Sequence, residues 1–247
     1  MTAKSSIQVS EVPAVEVAGV CKSFGGKAVL EEINLRLAGG RGLCICGANA
    51  AGKTTIVRII AGLLQPDAGT VKICGLNLKT DASQIKPIIG TILHKTMVYP
   101  QLTVEENLRF FAALYNVGDG KNRTQELLNE TGLSSHRYKT AAALSQGMMQ
   151  RLAIARAMIH RPAVLLADEP FTALDGEAAK YLIETLRNFK NRGGSIVMTT
   201  HNIDFALQCC EQAAVLDNKK IIFCAETSRI NTGEFAADYL SYARRNS

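Results

Sequence analysis

The chain has 247 residues, 47% hydrophobic and 20% charged, and 28 Lys+Arg against 22 Asp+Glu give a formal net charge of +6. That length buries a sizeable core, as one large α/β domain or one domain with an insertion, and the composition excludes a wholly disordered, collagen-like or coiled-coil chain. The positive charges are scattered, the nearest thing to a cluster being Lys219-Lys220 and Arg244-Arg245, so they do not outline a nucleic-acid surface.

Residues 1–13 are polar and read as a flexible tail without the apolar stretch of a signal peptide. Val15–Val20 and Val29–Leu37 read as strands, and Gly42–Cys46 (GLCIC) is a short apolar strand. Ile56–Leu64 has helical spacing, and Thr70–Cys74 is a strand behind the turn Gln65–Gly69. From about Gln84 to Arg151 the pattern is mainly helical, with helices expected at Thr103–Tyr115, Thr124–Thr131 and Gly147–His160. Thr103 and Glu106 have the spacing of a capping box.

Ala163–Ala167 (AVLLA) and Ser195–Thr199 (SIVMT) read as buried parallel strands, flanking an amphipathic helix over Gly176–Asn191. Asn202–Cys210 is a helix, Ala213–Leu216 and Ile221–Cys224 flank a hairpin turn, and a short helical tail follows. Strands alternating with helices predict a parallel sheet covered by helices, with a helical subdomain at about 85–155 inserted into a single domain spanning 14–247. No apolar run approaches the ~20 residues of a spanning helix, so a membrane role requires another chain to do the crossing. The seven cysteines lie mostly in apolar runs without a Cys-x-x-Cys pair, which points to reduced buried thiols.

Gly47-Ala48-Asn49-Ala50-Ala51-Gly52-Lys53-Thr54 matches G-x-x-x-x-G-K-[ST] between a strand and a helix, with Thr55 following. In such a loop backbone N–H groups and the helix dipole bind phosphate, the Lys53 charge sits on the β- and γ-phosphates, and the Thr54 hydroxyl ligates Mg²⁺. Ala50 stands where many such loops carry glycine, so a positive φ there would strain it.

Asp168 and Glu169 end an apolar strand, a costly place for two carboxylates unless a cation compensates. Asp168 is expected to hold Mg²⁺ through water, and Glu169 to act as general base on the attacking water. His201 ends the neighbouring strand on the same edge, placed to hydrogen-bond the γ-phosphate and that water.

With Leu144-Ser145-Gln146-Gly147-Met148, then Asp168-Glu169, Thr172-Ala173-Leu174-Asp175 and Thr199-Thr200-His201 in this order, the chain resembles the ATP-binding-cassette (ABC) transporter ATPases from about Val15 to Ala225. The resemblance implies a P-loop α/β core with a mixed sheet, an N-terminal antiparallel β subdomain and an inserted helical subdomain. It further implies ATP and Mg²⁺ as cofactors and a head-to-tail dimer of ATPase subunits on a multi-span permease at the cytoplasmic face. In that dimer Ser145 and Gly147 reach the γ-phosphate held by the partner, Asp175 lies across the interface, and Phe24 stacks on adenine. The signature departs from the family at Gln146 and Met148, and His94 stands where the family has a linking glutamine that touches Mg²⁺ and senses the membrane partner. The segment His94–Val117 and the Leu144–Met148 signature together resemble the ATPase subunits of haem exporters for cytochrome c maturation. The other readings are another exporter ATPase for drugs, lipids or ions, a soluble cassette acting on nucleic acid or ribosomes, and an ATP-binding scaffold without turnover.

Overall fold

The structure is a computed structural model that describes residues 12–93, 96–172, 174–201 and 203–229. Most of the expected N-terminal tail and the expected helical tail at the C-terminus lie outside the described residues. The described chain enters as an antiparallel pair, β1 (Val15–Phe24) and β2 (Lys27–Leu37), closed by Gly25 and Gly26, both at positive φ. Strand β1 runs four residues past its sequence reading because Lys22, Ser23 and Phe24 pair with Leu30, Ala28 and Lys27 of β2, beyond a register shift at Gly19 (φ +61). Strand β3 (Gly42–Cys46) leads into helix α1 (Lys53–Ile60). That helix stops short of the expected Leu64, because Gly62 takes the left-handed conformation (φ +70) that ends helices.

Strands β4 (Ala68–Ile73) and β5 (Leu76–Asn77) complete the first sheet, in the order β2-β1-β4-β5. A one-turn helix α2 (Ala82–Ile85) precedes β6 (Ile89–Ile92). Here the structure corrects the reading of residues from Gln84 onward as helical: β6 is a strand of the core, pairing in parallel with β7 (Val164–Asp168). The helical insertion follows as α3 (Val104–Leu114), α4 (Gly120–Glu130) and α5 (Gln146–Met158). Thr103 caps α3 in the expected capping box, and α4 starts four residues before Thr124 because the Asp119 side chain accepts from the Asn122 N–H. The rest is α6 (Gly176–Asn191), β8 (Ser195–Thr199), α7 (Ile203–Cys209) and the hairpin β9 (Gln212–Asp217) with β10 (Lys220–Glu226).

The central sheet is ordered β10-β9-β3-β8-β7-β6, parallel except for β10, so it is mixed. Alternation along each strand divides the core. Leu43, Ile45, Val164, Leu166, Val197, Ala214 and Leu216 face α1 and the antiparallel sheet. Cys44, Cys46, Leu165, Ala167, Ile196, Met198, Ala213 and Val215 face the helical insertion, α6 and α7. Burial on both faces explains why β3, β7 and β8 read as unbroken apolar runs. All seven cysteines are free thiols, and Cys44, Cys46, Cys209 and Cys210 are buried on the second face. Burial pushes the Cys209 thiol up to about 11.

Candidate functional site

The C-terminal ends of β3, β7 and β8 lie side by side, which is where a parallel sheet presents its ligand-binding residues. After β3 the chain passes Gly47, where a Cβ would come within 2.5 Å of the Leu216 carbonyl, so only glycine fits. The loop then curls on itself, Ala51 N–H donating to Ala48 O at 3.2 Å, with Ala50 at φ +64 and Gly52 at φ +108. Ala50 does adopt the left-handed conformation that makes the glycine-lacking loop strained. Helix α1 opens without a side-chain cap and without an acid in its first turn. Its leading N–H groups and positive dipole end are left to an anion.

Lys53 is 6% exposed at the start of α1. Its Nζ donates to the carbonyls of Gly47 (2.9 Å) and Ala48 (3.0 Å) and lies 3.4 Å from Glu169 Oε1. Glu169 Oε2 in turn meets His201 Nδ1 at 2.9 Å. The three residues thus form a continuous chain from the phosphate loop to the end of β8. Glu169 is itself at φ +50, which turns its side chain back toward Lys53 instead of continuing the strand. Asp168 ends β7 and is no helix N-cap, which removes the structural alternative for this acidic pair.

Thr54 Oγ1 donates to Asp168 Oδ1 at 3.1 Å. A hydroxyl and a carboxylate this close are two hard oxygen donors, the kind Mg²⁺ takes from a protein while phosphates and water fill its other positions. The donor chemistry therefore fits Mg²⁺. Sequence reasoning misses a second hydroxyl on Asp168: Thr199 Oγ1, on β8, donates to Oδ1 at 2.7 Å. It also misses Gln150 of α5, whose Nε2 donates to the Pro170 carbonyl at 3.0 Å, tying the signature helix to the turn behind Glu169.

The remaining expected residues sit elsewhere. Phe24, at the end of β1, is 49% exposed with Lys22 Nζ 5.5 Å from its ring centroid. Lys22 is held by Asp67 at 2.6 Å, and Asp67 Oδ2 also accepts from Ser23 N–H at 2.7 Å. The Lys22 hydrogen bond, then that of Ser23, hold the Asp67 carboxyl below the usual range. Ser145 and Asp175 cap α5 and α6, accepting from the N–H groups of Met148 (3.3 Å) and Ala178 (2.8 Å). A Cβ on Gly147 would lie 3.4 Å from Ala178 Cβ, so the starts of those two helices adjoin. Thr55 follows Thr54 in the first turn of α1. His94 lies outside the described residues.

Residues 30–172 match the sequence model of the family described as ABC transporter. The chain is 32% identical over 232 residues to the Nod factor export ATP-binding protein I of Ralstonia nicotianae, covering 93% of this chain and 72% of that protein. It is 34% identical over 233 residues to the spermidine/putrescine import ATP-binding protein PotA of Fusobacterium nucleatum, covering 92% of this chain and 61% of that protein. A solved ATP-binding cassette, described as dimeric, in a post-hydrolysis state and bound to ADP and Pi, superposes with a TM-score of 0.78 at 26% identity. That superposition covers 86% of this chain and 98% of the other.

Proposed function

The chain belongs to the ABC transporter family and is an ATPase whose hydrolysis is coupled to transport; we propose that it works as a dimeric subunit powering a separate multi-span permease for export. The observation that carries this reading is the run Lys53–Glu169–His201 beside the pair Thr54–Asp168, side chains from α1 and the ends of β7 and β8 converging on one open helix N-terminus.

In the proposed cycle the loop N–H groups and Lys53 bind the β- and γ-phosphates. Thr54 and Asp168 would hold Mg²⁺, which would supply positive charge against the phosphates. Glu169 takes a proton from the attacking water, and His201, hydrogen-bonded to Glu169, holds that carboxylate and the γ-phosphate in line. Phe24 receives the adenine. Ser145, Gly147 and Asp175, at the starts of α5 and α6, serve the nucleotide of the second subunit in this proposal, and the dimeric state of the solved cassette supports the pairing of two subunits. The strained backbone of Ala50 keeps the loop preset for phosphate.

No helix among the described residues is long and apolar enough to cross a membrane, and the proposed permease supplies the crossing. We place the subunit at the cytoplasmic face, bound through that permease. The direction is supported by the Nod factor export relative, while the polyamine import relative makes direction the point to test. Haem as the cargo rests on the sequence of residues 94–117 and the signature at 144–148, against relatives named for other cargoes.

The decisive experiment is Glu169→Gln. Turnover is expected to fall by about 10²–10⁴-fold, the usual contribution of a general base, while ATP still binds and a closed dimer accumulates on size-exclusion chromatography. Hydrolysis at the wild-type rate would overturn the assignment of Glu169. Affinity capture from detergent-solubilised membranes then names the permease, and co-purifying haem decides the cargo.

A further inference from the structure

Thr199 is a hydroxyl residue at the end of an otherwise apolar strand, with no exposed surface and in register opposite Asp168. A buried hydroxyl is tolerated only if it is hydrogen-bonded. This one is used twice. Its Oγ1 donates to Asp168 Oδ1 at 2.7 Å and accepts from the Glu169 N–H at 3.0 Å. The same N–H also points at the Thr199 carbonyl, 3.1 Å away. Glu169 is the residue held at φ +50, so its left-handed turn is fastened to β8 by its own N–H.

We propose that Thr199 is a positioning residue for both carboxylates, its one hydroxyl fixing the orientation of the Asp168 carboxylate and the backbone turn that aims Glu169 at Lys53 and His201. The inference rests on the roles given above to Asp168 and Glu169. Asp168 Oδ1 receives hydroxyls from both Thr54 and Thr199. A Thr54 hydroxyl facing a cation would keep its proton for Oδ1, and Thr199, buried on β8 with the shorter bond, would be the donor that holds the carboxylate independently of the cation. Serine or threonine can supply this bond, and valine has the shape without the donor.

The test compares Thr199→Val with Thr199→Ser in the full chain, reading two quantities. One is the affinity for Mn²⁺, by electron paramagnetic resonance, with a non-hydrolysed ATP analogue bound. The other is kcat and KM for ATP. Thr199→Val should weaken Mn²⁺ binding and lower kcat by about 10-fold each, within the range known for groups that orient metal ligands, with KM little changed. Thr199→Ser should recover most of both. Wild-type Mn²⁺ affinity and kcat in Thr199→Val overturn the inference, and so does Thr199→Ser behaving as badly as valine, which would make the effect one of packing. If Thr199→Val does not fold, Thr199→Ala is set against Thr199→Ser with the same readouts. Asp168→Asn is measured in parallel. Unimpaired Mn²⁺ binding there sinks the site itself, whereas impairment there with a normal Thr199→Val sinks only the role of Thr199.

Discussion

At the starts of α3 and α4, polar side chains answer to their own neighbourhood: Thr103 and Glu106 satisfy each other three residues apart, and Asp119 caps the helix that starts one residue on. At the edge of the central sheet, Asp168 takes its hydroxyls from Thr54, 114 residues before it, and Thr199, 31 after it. The first kind of contact is exposed and forms as soon as its helix does. The second is buried or half-buried and exists only once β3, β7 and β8 are side by side. The helix caps of the insertion are thus satisfied locally although its apolar faces pack on the sheet, whereas the polar contacts at the strand ends are as cooperative as the core beneath them.

The contrast can be broken most sharply at Lys53. Lys53→Ala removes the charge from the loop and strips Glu169 of the cation 3.4 Å away. ATP affinity should drop about 100-fold, as expected for losing charge-assisted hydrogen bonds worth roughly 3 kcal/mol; calorimetric titration showing unchanged affinity would refute the phosphate-loop reading. Next comes the seam between the two regions. A Cβ on Gly90 of β6 would lie 2.4 Å from the Ala157 carbonyl of α5 and 2.9 Å from Pro162 Cγ. Gly90→Ala should therefore cost about 2–4 kcal/mol in urea unfolding, the scale of a forced overlap in a packed interior.

Within the insertion the effect should be smaller and confined. Thr103→Ala is expected to cost about 1 kcal/mol of stability and to leave ATP affinity at its original value. A large loss of affinity would show that the insertion is not energetically separate from the phosphate edge.

The smallest effect concerns pH. His160 stacks on Tyr115 at 3.9 Å, its Nε2 lies 3.0 Å from the Ile89 carbonyl, and burial lowers its pKa. The folded protein then binds fewer protons here than the unfolded chain, so the contribution is full above the ordinary value of about 6.5 and is lost as pH falls below it. His160→Phe keeps the ring stack and should flatten that part of the stability profile. Chemical denaturation at several pH values would show a parallel slope if the imidazole did not matter.

Legibility in the sequence follows the same division. The capping box at Thr103 and the helix Gly176–Asn191 can be read because their signals sit within one or two turns of chain. Gly47 through Thr54, Asp168, Glu169 and His201 can be read because each stands where an apolar strand stops. Strand β6 cannot. It has four residues, and what makes Ile89–Ile92 extended is its pairing with β7, more than seventy positions later in the chain. Thr199 is hidden for a related reason: inside SIVMT it looks like one more β-former, and only the register Asp168↔Thr199 gives its hydroxyl a partner. The positive φ of Ala50 is legible as a condition, and that of Glu169 is not, since no neighbouring residue announces it.

The burial of four thiols behind the phosphate loop also sets how the protein meets electrophiles. Cys44, Cys46, Cys209 and Cys210 are sealed from solvent, and burial raises Cys209 and Cys210 away from the reactive thiolate form. Cys74 and Cys224 are exposed, one at the turn after β4 and the other on the sheet-edge strand β10. A maleimide dye therefore reaches Cys74 and Cys224 first, slowed by the partial burial that raises both thiols, with half-buried Cys21 between them and the sealed four, which become reactive only as the core opens and so report unfolding.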